Sequence, residues 1–161
     1  MKDKETKDPV RLRGFYRLQI VEDDGEVVGD TGWRENVITN VGFDEYLIKA
    51  LAGAANSTPT VGYIGLGYAA TRTFAASDSN LDVVGATSRM SAATATSSRS
   101  AQFTAAFSSN MFGATYNINE IGLFSGSATA TGTKAFALAT YASSSVATNQ
   151  AVNVTYNIAY Q

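Results

Sequence analysis

The 161 residues carry 12 basic and 14 acidic side chains, giving a formal charge of -2 and a pI near 5.0, and include neither cysteine nor histidine. Lacking thiols and imidazoles, the chain has no disulfide framework, no thiolate or histidine metal site, and no Ser-His-Asp or Cys-His nucleophile, so no metal or other cofactor is expected. Slight acidity and the lack of a basic cluster interleaved with aromatics argue against nucleic acid as a partner.

No apolar run approaches the roughly 18 residues of a membrane span, so no membrane partner is expected. The charged start Met1-Lys-Asp-Lys-Glu5 lacks the apolar core of a signal peptide, and a soluble chain is expected. Its length corresponds to one domain that buries roughly 70% of its unfolded surface. Of the 12 basic and 14 acidic residues, positions 1–50 hold 8 and 11, leaving 4 and 3 for the rest. That second part is rich in Ala, Ser, Thr, Gly and Asn, punctuated by aromatic and branched residues, a pattern of strands with small neutral outer faces.

Residues 1–14 alternate in sign, contain Pro9 and show no periodicity, which predicts an extended arm; Lys2, Lys4, Lys7, Arg11 and Arg13 are its candidate partner-binding cations. A single β-rich domain is expected over 15–161. Tyr16, Leu18 and Ile20 alternate with Arg17 and Gln19, Glu22-Asp-Asp-Gly25 supplies a hairpin turn, and Glu26–Val28 begins the return strand. Trp33 precedes a short strand over Asn36–Ile38. The one helix is predicted at about residues 41–52, capped by Asn40 and ended by Gly53, with Phe43, Leu47 and Leu51 on the face that covers the sheet.

Further strands are predicted over Val61–Gly67, Leu81–Met90, Ser100–Phe107, Tyr116–Phe124 and Lys134–Tyr141, with 68–80 a surface loop. The clearest strand is the last, where Val152, Val154, Tyr156, Ile158 and Tyr160 share one face. About eight strands and one helix predict a mainly β fold, an antiparallel β-sandwich or jelly-roll-like barrel with one short α-helix. The core candidates are Trp33, Phe43, Leu47, Leu51, Glu120 and Tyr156.

Gly65-Leu-Gly-Tyr-Ala-Ala70 matches a dinucleotide fingerprint in form, yet the segment Thr71–Ser79 is loop-like, and a phosphate site there needs a helix to open at the glycines. Asp23-Asp24-Gly25 lacks the spaced ligands of a calcium loop. Paired carboxylates could still hydrolyse glycans without histidine, but beyond residue 50 only Asp78, Asp82 and Glu120 are available. Glu120 lies in an apolar strand, where pairing with backbone or with Arg89 would let it be buried.

Asn36-Val-Ile-Thr-Asn-Val-Gly42 opening an apolar helix, Tyr63-Ile-Gly-Leu-Gly67, and Asn119-Glu-Ile-Gly-Leu-Phe124 followed by Ala135-Phe-Ala-Leu-Ala139 together resemble small structural proteins of tailed-bacteriophage virions. The likeness spans about residues 33–161. It implies a non-enzymatic virion protein assembled in the host cytoplasm, most plausibly a capsid decoration (cement) protein. Its implied partners are copies of itself, a trimer preferred, and the major capsid protein or other virion proteins. A tail, baseplate or fibre component in host attachment is the alternative, and a tail-associated glycan hydrolase a third reading.

Overall fold

The computed structural model describes residues 11–53, 60–68, 73–81, 89–127 and 134–161. Its ten strands are β1 (Leu12–Val21), β2 (Val27–Asp30), β3 (Arg34–Ile38), β4 (Tyr63–Gly67), β5 (Met90–Ser91), β6 (Ala93–Ser97), β7 (Ser100–Phe107), β8 (Tyr116–Phe124), β9 (Ala135–Val146) and β10 (Ala151–Tyr160). They run antiparallel in the order β5-β4-β8-β9-β3-β1-β10-β7-β6, with β2 also on β1. The fold is mainly β with one short helix, and the sheet curls into a nearly closed barrel, as the strand pattern predicts.

Two strands make the corners. β3 bonds to β1 through Arg34–Asn36 and then to β9 through Val37 and Ile38. β5 pairs with β4, and after the single residue Ala92 the chain pairs with β7 as β6. The two ends of the strand order therefore meet at Ala92, whose N–H bonds to Gly62 O at 2.8 Å.

Alternation places the core. β1 and β10 pair without a break from Leu12↔Tyr160 to Val21↔Ala151, which sets Tyr16 against Tyr156 and Leu18 against Val154 on the inner face. Phe103, Ala105 and Phe107 of β7 complete that wall. Because side chains alternate with period two, a one-residue slip would turn this whole set outward, so the register is firmly specified. Phe112, after a 3₁₀ turn at Ser109–Met111, joins the core beyond the end of β7.

β8 is buried on both faces from Ile118 to Phe124. Ile121 and Leu123 join the barrel core, whereas Phe124 packs with Leu138 in a second, outer cluster covered by Phe74 and Leu81. Phe74, in the stretch 68–80 expected as a plain surface loop, and Leu81, expected to open a strand, thus supply the cover of that outer cluster. Residues 82–88 of the predicted Leu81–Met90 strand lie outside the described residues. The strand Ala93–Ser97 was not predicted; its Ala-Thr-Ala-Thr-Ser run has no large apolar face to mark it.

The helix departs most from expectation. It is π-wound over Gly42–Ile48 and closes with one α-turn, Lys49–Leu51. Thr39 caps it in place of Asn40: its hydroxyl accepts the Gly42 N–H at 2.9 Å and donates to Ala135 O at 2.7 Å. Gly42 lies against β9 so closely that a Cβ would sit 2.4 Å from Phe136 O. The buried side chain is Tyr46, edge-on to Phe136 at 5.5 Å with its hydroxyl donating to Lys134 O at 2.6 Å. Phe43, Ile48 and Leu51 are 37%, 55% and 76% exposed and Leu47 is half-buried, so Phe43 and Leu51 are not core residues. The physical reason is the wider i→i+5 winding, which rotates side chains away from the stripe that 3.6 residues per turn would align. Gly53, at φ 69°, ends the helix as predicted.

Two further expectations are corrected. Trp33 is 51% exposed, because it occupies the bend between β2 and β3 and not an inward strand position. Arg11–Gly14 are not part of an arm: Arg11 and Gln161 exchange backbone hydrogen bonds at 2.9 Å, and β1 begins at Leu12. Lys2, Lys4 and Lys7 lie outside the described residues. Tyr156 and Glu120, both 0% exposed, are buried as expected.

This packing makes Tyr46→Ala a change that costs about 3 to 5 kcal/mol, as for other large aromatic deletions, whereas Leu51→Ala stays within about 0.5 kcal/mol. Urea denaturation of both variants checks it; equal losses would mean that the stripe and not Tyr46 anchors the helix.

Candidate functional site

The end of the barrel that carries the helix holds four of the eight exposed large apolar residues among those described, Phe43, Ile48, Leu51 and Tyr160. Strands β1, β7 and β9 begin there and β10 finishes there. Leu12, Leu47, Val61, Phe103, Phe136, Ile158 and Tyr160 line a hollow of about 320 Å³. An adjoining hollow of about 600 Å³ shares Leu12 and is lined by Arg11, Arg13, Glu35, Phe43 and Gln161. Ile48, Leu51 and Tyr160 are exposed, Tyr160 by 42%. Of the arm cations, Arg13 is engaged within the domain: it donates to Glu35 Oε1 and Gln161 Oε1, both at 2.9 Å, and its guanidinium lies 5.2 Å from the Phe15 ring centre. Glu45 and Lys49 pair along the outer side of the helix.

A second cavity, a cleft of about 430 Å³, opens in the barrel side where β3 leaves β1 for β9. Between Glu120↔Thr140 and Ile118↔Ser144 β9 has two more residues than β8, and this bulge over Tyr141–Ser143 faces the β2–β3 bend across the cleft. Tyr16 and Tyr141 form part of its wall with ring centres 6.1 Å apart, and Tyr156 packs behind Tyr16 at 6.0 Å. The Tyr16 hydroxyl donates to Thr140 O at a long 3.4 Å. Burial pushes the Tyr141 and Tyr156 hydroxyls well above the usual phenol range, and the neighbouring Tyr16 adds to that shift.

At the rim, Asp30 accepts from Arg17 Nε at 3.0 Å, from Gln19 Nε2 at 3.1 Å and from the Gly32 N–H at 2.8 Å. The Arg17 hydrogen bond, supported by Gly32 and Gln19, holds the Asp30 carboxyl well below the usual range against a partial desolvation. Glu35 is likewise lowered by Arg13. Arg34 donates from Nε to Thr31 O at 3.0 Å and, among the salt bridges of the described residues, has none.

Glu120 was expected to pair with backbone or with an arginine such as Arg89; among the described residues no salt bridge joins it to Arg89 itself. Arg89, 4% exposed, stacks 3.5 Å from the Phe124 ring centre and donates to Asn80 Oδ1 at 3.0 Å and Gly126 O at 3.3 Å. Burial lowers its pKa to about 10, which leaves it charged at neutral pH. Gly65 lies inside β4 against Phe124 and Arg89, so the Gly65–Ala70 pattern serves strand packing at its first glycine. Asp78 accepts the Ala75 N–H at 2.7 Å within its own turn, and neither it nor Glu120 lines any of the three cavities. Asp82 lies outside the described residues. Among the described residues no three His, Cys, Asp or Glu side chains are grouped to hold a metal, and no helix is long and apolar enough to cross a membrane.

Neither the exposed helix stripe nor the cleft was foreseen as a site. The first was hidden because its residues read as core; the second arises from a strand switch and a bulge, which leave no composition signal. No protein-family model matches the chain, and comparisons with curated proteins and with solved structures find no significant likeness.

Asp30 titrates with a depressed folded-state pKa, so the stability it contributes is present above its unfolded value, near pH 4, and is lost as pH falls through the folded value. The Asp30→Asn variant should therefore be less stable than the parent at pH 7, by a margin that narrows as pH falls from 4 toward 2. Thermal melts across that range check this; a constant difference at all pH values would place the effect in packing and not in the Arg17 pair.

Proposed function

We propose that the chain is a non-enzymatic structural protein of a tailed-bacteriophage particle, acting as a homo-oligomeric decoration protein on the head. The observation that carries the assembly reading is the apolar end: Phe43, Ile48, Leu51 and Tyr160 stand exposed beside hollows lined by Leu12, Leu47 and Val61. Contiguous apolar surface of this kind on a soluble domain marks an interaction site, and burying it on a neighbouring copy or on a lattice subunit is favourable. Bare strand edges, by contrast, give little support for self-association, because near closure of the sheet leaves few of them.

The particle itself is inferred from the resemblance of Asn36–Gly42, Tyr63–Gly67 and Asn119–Phe124 to virion proteins, and the trimer from the same source. A decoration protein selective for the assembled shell stabilises it as any ligand does that binds one state and not the other. The non-enzymatic reading is supported by the absence of histidine and cysteine from the sequence; neither Glu120 nor Asp78 lines any of the three cavities described above. A tail, baseplate or fibre component is the second reading, favoured by the side cleft, which has the size of a small-ligand site.

Immunogold labelling of virions with an antibody to this chain should mark the head surface. Label confined to the tail would favour the second reading, and no label on any particle would overturn both. In solution, the paired change Ile48→Asp and Leu51→Asp should weaken self-association at least about tenfold by light scattering while circular dichroism shows the protomer still folded, since both side chains are exposed in the protomer.

A further inference from the structure

We propose that the cleft between the β2–β3 bend and the bulge of β9 binds an acidic sugar unit, a hydroxyl-rich ring bearing a carboxylate, with Arg34 taking the carboxylate and the Tyr141 ring taking the apolar face of the sugar. The cleft is a product of strand register and not of loose packing. β3 must turn from β1 to β9 between Asn36 and Val37, and β9 carries its two extra residues opposite the turn, so no ladder bonds span the gap. At about 430 Å³ it lies within the range of small-ligand sites.

The wall chemistry selects the class. Tyr141 is partly exposed and lines the cleft, yet its hydroxyl is buried, so it presents the flank of its ring and not its polar tip. An aromatic flank is a platform for the C–H face of a sugar ring. Thr31, Ser143 and Ser144 add hydroxyls around it. The rim carboxylates are already matched, Asp30 by Arg17 and Glu35 by Arg13, and so repel an incoming anion little. Arg34 is the exception: among the described residues its hydrogen bond is to Thr31 O and no carboxylate pairs with it. Its remaining donors form the planar fork that receives a carboxylate in two parallel hydrogen bonds. A neutral sugar would leave that fork to water; an acidic peptide would use the fork but gain less from the tyrosine flank.

Titration of the full chain with methyl glucuronide, methyl glucoside and a short acidic peptide, followed by backbone amide shifts, tests this. The glucuronide should bind about tenfold more tightly than the glucoside and shift the Thr31, Arg34, Ser143 and Ser144 amides. Arg34→Gln, an exposed change that leaves the fold intact, should reduce glucuronide binding to the level of the glucoside. Absence of shifts with both sugars, a glucuronide preference that survives in Arg34→Gln, or tighter binding of the peptide would each overturn the proposal. Because the particle-labelling experiment does not involve this cleft, failure here leaves the assembly reading to its own test.

Discussion

The ladder between the first and last strands is the constraint on which the rest depends. Ten consecutive pairs join Leu12–Val21 to Ala151–Tyr160, and Arg11 and Gln161 exchange backbone bonds beyond them. Nothing else among the described residues joins the β3 side of the sheet to the β7 side in that direction, so the barrel exists only once the two ends of the chain have met. Contacts of such sequence separation are costly in loop entropy and form slowly. The ladder persists because it buries a row of large side chains from each strand, including the mutually tilted rings of Tyr16 and Tyr156, against β7 and the far wall. The corners at β3 and Ala92 are then a matter of geometry: a twisted sheet pinned at its middle curls until its outer strands meet.

Much of this was legible because strands declare themselves by alternation. Tyr16, Leu18 and Ile20, and Val152, Val154, Tyr156 and Ile158, read inward in the sequence and lie inward in the fold. Where the signal fails, a competing effect is identifiable. Phe43, Leu47 and Leu51 satisfy a helical stripe, but Gly42 and Tyr46 fasten the helix to β9 and its π-winding turns the stripe aside. Trp33 is large and apolar yet sits in a bend, where connecting chain runs over the surface. Arg11–Gly14 looked like a charged tail because Arg11 and Arg13 face outward; the backbone between them was already strand. The misread stripe leaves Phe43 and Leu51 exposed and Leu47 half-buried at helical spacing.

The molecule thus divides its surface by chemistry. The outer face of β1, β10 and β7 is made of Arg17, Gln19, Asn153, Thr155, Gln102 and Thr104, a hydrated face with its charges internally matched. The helix end exposes Phe43, Ile48, Leu51 and Tyr160, and the side cleft combines aromatic and hydroxyl side chains with Arg34, which has no salt bridge among the described residues.

Hydrogen–deuterium exchange of the protein at dilute and at high concentration tests the assignment of the apolar end as the assembly surface most directly. Protection gained at high concentration should be confined to Phe43–Leu51 and to the end of β10 near Tyr160, with the outer face of β1 and the cleft unchanged. Protection that appears instead on the outer face of β1, or none at any concentration, would contradict it.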